Sequence, residues 1–116
     1  GSLSDVPAYP RLVAEAVLNY NAHSVILCHN HPGGSLAPSQ ADLDATAMLS
    51  QLLLELEVVL IDHIIVGEGQ ALSMVRNHLI EQSVTPQGVC TRVASSDGEL
   101  RLAGNLLIEK RKTEES

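Results

Sequence analysis

Two short apolar segments on either side of a long amphipathic one constrain the fold of this chain more than any other feature. Residues 23–29 (HSVILCH) and 58–67 (VVLIDHIIVG) are apolar and rich in β-branched residues, which is typical of strands buried on both faces of a sheet. The segment between them predicts a helix from Ser39 to about Glu57, because its apolar residues recur at helical spacing. Strand, helix and strand in this order predict an α/β fold with a mixed β-sheet flanked by helices. The apolar positions of the helix are Ala45, Met48, Leu49, Leu52, Leu53 and Leu56.

The remaining segments have weaker patterns. An amphipathic helix is predicted from Pro10 to about Asn21, and a short helix over residues 72–80. Residues 89–95 (VCTRVAS) and 99–108 (ELRLAGNLLI) flank a turn-like SDG and predict a pair of strands. The length of 116 residues suits one domain spanning 1–116.

Composition and charge exclude several classes of function. The chain carries a net charge of −7, and residues 1–75 contain one basic residue against eight acidic ones. An acidic surface repels a phosphate backbone, and two tyrosines without Phe or Trp offer no stacking platform for bases. Direct nucleic-acid binding by this domain is therefore not expected. No signal peptide, CxxC pair or long apolar span is present, which predicts a cytoplasmic protein without a membrane segment.

The loop between the first strand and the long helix carries the chemistry. His29 and His31 lie two positions apart at a strand end, so their side chains point to the same side, and Asp42 falls in the first helical turn. Two imidazoles and one carboxylate are a common ligand set for one catalytic Zn²⁺, with the fourth position open for water. The alternative is structural: Ser39 and Asp42 fit an N-terminal capping box. The two interpretations are compatible for Ser39, and the spelling HNH does not indicate a nuclease.

The stretch HNHPGGSLAPSQADLD matches the JAMM signature H-x-H-P-x(6)-S-x(2)-D at every fixed position, and it resembles the RadC branch of the JAB/MPN families. The flanking LIDHIIVG is also similar to that branch, and the resemblance extends over residues 1 to about 80. It implies a cytidine deaminase-like architecture, zinc held by His29, His31 and Asp42, and Ser39 stabilising the reacting water or an oxyanion. It further implies a metallopeptidase or isopeptidase acting on a peptide or isopeptide substrate.

The sequence departs from this family in two places. The general-base glutamate of the family lies on a strand upstream of the segment that matches Gly1, so we expect an N-terminally truncated fragment; otherwise the chain lacks its base. Residues 82–116 carry no resemblance. The alternative function is a non-enzymatic metal-binding scaffold or a DNA-repair accessory module, following the family's label. Asp62 and His63 are predicted to be hydrogen-bonded core residues or to support the site from outside the ligand set, rather than to act as a fourth ligand. The sequence leaves an oligomer open.

Overall fold

The computed structural model describes residues 5–31 and 35–107 of the chain, which form two helices and six strands. Neither described helix is long and apolar enough to cross a membrane. The elements are α1 (Asp5–Asn19), β1 (Ser24–Asn30), α2 (Gln40–Glu55), β2 (Val59–Gly67), β3 (Gln70–Ser73), β4 (Ile80–Thr85), β5 (Gly88–Ala94) and β6 (Leu100–Leu107).

The strands form two three-stranded sheets. In the first sheet, ordered β1-β2-β3, β1 and β2 are parallel and β3 is antiparallel to β2. The second sheet, ordered β4-β5-β6, is antiparallel throughout. The predicted α/β fold with a mixed sheet is therefore confirmed, as are the strands β1 and β2, the helix α2 between them and the β5–β6 pair.

Helix α2 packs against both sheets and against α1. Leu49 and Leu53 in its middle are fully buried, and each such leucine contributes about 1.5–3 kcal/mol of hydrophobic stabilisation. Aliphatic side chains supply the core, as the shortage of aromatic residues predicts. The buried cluster consists of Val17, Leu27, Leu43, Leu49, Leu53, Val58, Leu60, Ile65, Met74, Ile80, Val93 and Ala103.

The first sheet is buried on one face, whereas the sequence predicted burial on both. Leu27 of β1 and Ile65 of β2 point into the core with Val17 of α1. On the opposite face, Ile26 and Ile61 are exposed among the described residues. The apolar segments are thus strands as predicted, but some of their β-branched residues are exposed rather than buried.

Two predicted boundaries differ from the structure. Helix α1 begins at Asp5 rather than at Pro10, so that Pro10 lies inside it and cannot donate one backbone hydrogen bond. The helix predicted over 72–80 is wrong: β3 ends at Ser73, a turn follows, and β4, which was not predicted, begins at Ile80. The Asp62 carboxylate stabilises this turn, since it accepts hydrogen bonds from the Ser73 hydroxyl and from the Val75 N–H.

Gly104 of β6 permits the close contact between α2 and the second sheet. A Cβ atom at this position would lie 2.6 Å from Leu54 Cδ1 and 3.2 Å from the Gln51 Cα, and its φ of +140° disfavours other residues. We expect Gly104→Ala to lower the free energy of unfolding by about 1–3 kcal/mol through overpacking, in addition to the cost of its backbone strain.

Gly98 provides the matched control. Its φ is +86°, but no described atom lies within 4 Å of the position that an alanine methyl group would take there, so Gly98→Ala reports only backbone strain, about 1–2 kcal/mol. Urea denaturation of the two variants measures the difference. Equal losses of stability would contradict the packing of α2 against β6 described above.

Candidate metal centre

The parallel pairing of β1 with β2 fixes the two histidines. His29 is in register with Ile65, and the His31 N–H donates to the Val66 carbonyl at 2.8 Å, one residue beyond the end of β1. The backbone of both histidines is therefore held by the neighbouring strand. Their rings lie edge to face with centroids 4.8 Å apart, as expected for side chains two positions apart on one side of a strand.

Ser39 and Asp42 form the start of α2. The Ser39 Oγ accepts from the Asp42 N–H at 3.1 Å, and the Asp42 Oδ2 accepts from the Ser39 N–H at 2.8 Å. This reciprocal pair is a complete capping box. The structural interpretation of these two residues is thus confirmed, and the box also holds the Asp42 side chain in a defined direction.

The Asp42 carboxylate faces both imidazoles. Its Oδ2 lies 3.1 Å from His31 Nε2, and its Oδ1 lies 3.6 Å from His29 Nε2. The three possible ligand atoms all fall within 4.8 Å of one another. Ligands about 2.0–2.2 Å from a tetrahedral zinc ion stand roughly 3.3–3.6 Å apart. The two histidine–carboxylate separations of 3.1 and 3.6 Å are close to this spacing, and the widest separation within the group, up to 4.8 Å, closes to it with a side-chain shift of about 1 Å.

The His31 ring is oriented by the loop. Its Nδ1 lies 2.9 Å from the Ser35 carbonyl oxygen, which can only accept a hydrogen bond, so Nδ1 carries the proton. In the neutral ring, Nε2 then carries the lone pair, and Nε2 is the atom that faces Asp42. A backbone carbonyl on the far nitrogen is the usual partner of a metal-binding histidine.

The site is open on the side of His29. The side chains of His29, His31 and Asp42 are 43%, 19% and 15% exposed. Partial burial acts to raise the pKa of Asp42, but the Ser39 hydrogen bonds and the two imidazoles together hold it below its usual value. The carboxylate is therefore ionised at neutral pH, which is the form that binds a cation.

Of the two supporting residues predicted from the sequence, His63 lies beside the candidate metal centre, whereas Asp62 contacts the turn after β3. Asp62 bonds to Ser73, to the Val75 N–H and to the His63 N–H, and its side chain makes no hydrogen bond to the three converging groups. The His63 ring lies beside His29, with centroids 6.2 Å apart, and the residue is only 4% exposed. Burial and the neighbouring His29 lower the pKa of His63, which favours its neutral form.

Sequence reasoning missed Thr46. Its side chain is fully buried, and its Oγ1 lies 2.7 Å from the Asp42 carbonyl and 2.7 Å from His63 Nδ1. The available signal was a polar residue four positions after Asp42, on the side of α2 that carries Leu49 and Leu53. That signal is weak, because threonine is common on exposed helix surfaces.

An α/β domain with a His-x-His strand end and an aspartate at the following helix start agrees with a JAB/MPN-type domain. Residues 1–80 match the RadC-like JAB domain family. The chain therefore belongs to the RadC family.

Curated relatives agree with this assignment. A UPF0758 protein of Pseudomonas fluorescens (strain SBW25) is 50% identical over 74 residues, which cover 64% of this chain and 33% of that protein. A UPF0758 protein of Pseudomonas syringae pv. syringae is 44% identical over 80 residues, or 69% of this chain and 36% of that protein. UPF0758 protein IL0240 of Idiomarina loihiensis is 42% identical with the same coverage. The chain thus aligns with about a third of the length of these relatives.

The capping box predicts a measurable effect on stability without metal. We expect Ser39→Ala to lower the free energy of unfolding by about 1 kcal/mol, because the Asp42 N–H loses its acceptor. The control is Ser96→Ala, an exposed serine in the β5–β6 turn whose side chain makes no hydrogen bond to the described residues. Both are measured by urea denaturation in the presence of a chelator, and equal effects would contradict a capping role for Ser39.

Proposed function

We propose that this chain is the metal-binding part of a zinc-dependent hydrolase that cleaves an amide or isopeptide bond. The observation that carries the proposal is the convergence of His29, His31 and Asp42 within 4.8 Å at the surface. Membership of the RadC-like JAB family supports it. In this proposal the three side chains hold one Zn²⁺, and the exposed edge of His29 is where substrate approaches.

Each residue has a separate task. When bound, zinc acidifies a coordinated water and polarises a carbonyl group. Ser35 fixes the His31 ring, and the capping box fixes the Asp42 carboxylate. The Ser39 Oγ uses a lone pair to accept from the Asp42 N–H, so its own hydrogen remains available to donate to a developing oxyanion.

The general base belongs to the longer protein in this proposal. The family resemblance assigns it to a glutamate on a strand upstream of the segment that matches Gly1, and the chain aligns with only about a third of the length of its relatives. We further propose that the protein is cytoplasmic. We also propose that its substrate is a peptide or isopeptide rather than nucleic acid, because the net charge of −7 opposes a phosphate backbone.

Zinc binding tests the ligand set directly. We expect one Zn²⁺ per chain after supplementation and dialysis, measured by elemental analysis and by competition with a chromophoric chelator. His29→Ala and Asp42→Ala should weaken binding by more than about 100-fold, since each removes a ligand. His23→Ala is the control, because His23 is an exposed histidine outside the site. A wild-type chain without stoichiometric zinc, or a His23→Ala effect as large as that of His29→Ala, would sink the proposal.

Hydrolysis is tested in the longer protein that includes the upstream segment. We expect the zinc-loaded protein to cleave members of a panel of peptide and isopeptide substrates, chelation to abolish cleavage, and Ser39→Ala to lower kcat by roughly 10²–10³-fold through the lost donor. Zinc binding without cleavage of any amide bond would favour the alternative, a metal-binding scaffold or DNA-repair accessory module.

A further inference from the structure

Thr46 and His63 form a buried polar contact directly behind the candidate metal centre. The hydroxyl of Thr46 lies 2.7 Å from two atoms, the Asp42 carbonyl oxygen in α2 and His63 Nδ1 in β2. Both residues are buried, so neither contact is weakened by competing water. The contact joins the first turn of α2 to the strand beside β1.

The positions of the hydrogens follow from simple counting. A threonine hydroxyl has one hydrogen, and a carbonyl oxygen can only accept. An oxygen–oxygen separation of 2.7 Å therefore places the Thr46 hydrogen toward Asp42. The 2.7 Å contact with His63 must then be donated by the imidazole, so Nδ1 carries the proton and Nε2 carries the lone pair.

Thr46 is also what orients the His63 ring. Among the described residues, His63 Nε2 has no hydrogen-bond partner. The ring is therefore held by packing and by one hydrogen bond, His63 Nδ1–H to Thr46 Oγ1, which continues to the Asp42 carbonyl. This chain of two hydrogen bonds ends on the backbone of the residue whose carboxylate faces His29 and His31.

We infer that Thr46 and His63 are positioning residues that set the metal affinity of the site by fixing the Asp42 turn of α2 against β2. The inference rests on the proposed function, since it concerns how tightly zinc is held. His29 is anchored to β2 by strand pairing, and Asp42 is anchored to β2 through Thr46 and His63. Strand β2 thus holds ligands from two different elements in position relative to each other. This matters because ligand geometry must be held within about 0.5 Å for strong binding.

Paired substitutions in the full 116-residue chain test the hydroxyl. Thr46→Val keeps the shape and removes the hydrogen bonds, whereas Thr46→Ser keeps them. We expect Thr46→Val to weaken zinc binding by about 10–100-fold, the usual effect of losing a partner behind a ligand, and Thr46→Ser to stay within about 3-fold of wild type by the same reasoning. Competition with a chromophoric chelator measures the affinity, and urea denaturation in chelator measures stability separately.

The histidine is tested by two amides of different reach. The side-chain amide of Asn superimposes on Nδ1 of a histidine, and that of Gln on Nε2. We expect His63→Asn to keep tighter zinc binding than His63→Gln, because only Asn can donate to Thr46. Nitrogen chemical shifts of the metal-free wild type should show His63 protonated on Nδ1 and not on Nε2.

The readouts separate this inference from the proposed function. Absence of zinc binding in the wild type removes the proposed function and with it the effect on affinity, and amide hydrogen exchange in the metal-free chain then decides whether Thr46 and His63 fix the Asp42 turn against β2. Thr46→Val should accelerate exchange at Asp42 and Leu43 by more than its effect on β5 amides. A Thr46→Val chain that binds zinc like wild type, uniform changes in exchange, or an Nε2-protonated His63 would each overturn it.

Discussion

The burial of α2 between the two sheets is the constraint on which the rest of the structure depends. Its middle leucines are fully buried, and Gly104 brings β6 close enough to contact Leu54. Because α2 connects two parallel strands, its start must lie near the carboxyl end of β1. The packing that stabilises the domain therefore also determines where Asp42 meets His29 and His31.

Asp42 satisfies two demands that the sequence presented as alternatives. Its carboxylate accepts a hydrogen bond from the Ser39 N–H and still faces both histidine rings. An ionised carboxylate has about four lone-pair positions, so capping the helix does not use up its capacity for a cation. The capping box keeps the side chain aimed at the imidazoles, which lowers the entropy that a bound ion would have to remove. Structural and chemical roles thus reinforce each other at this residue.

The parts of the fold that could be predicted from sequence are those specified by local pattern. Strands β1 and β2, helix α2 and the loop residues follow from periodicity, from Pro and Gly, and from the spacing of His29, His31 and Asp42. The turn after β3 was not predictable in this way, because part of its hydrogen bonding comes from Asp62, eleven or more residues earlier in the chain. Thr46 was missed for the same reason, since its partner His63 lies 17 residues away. Local propensity cannot register a hydrogen bond that only the folded sheet brings together.

The second sheet links the candidate site to a part of the chain beyond the family match. Strands β4 to β6 begin at Ile80, where the matched region ends, yet Val93 and Ala103 belong to the same buried cluster as Leu49. At the start of α2, the side chain of Gln40, two residues before Asp42, accepts a hydrogen bond from the Ser96 N–H at 2.6 Å. The second sheet therefore supports α2 along its length, including the turn that carries the carboxylate. Any ligand that binds the folded state at this turn stabilises the whole packed unit by mass action. Metal affinity and the packing of β4 to β6 on α2 are therefore thermodynamically coupled. This holds even though no residue of that sheet belongs to the converging group of His29, His31 and Asp42.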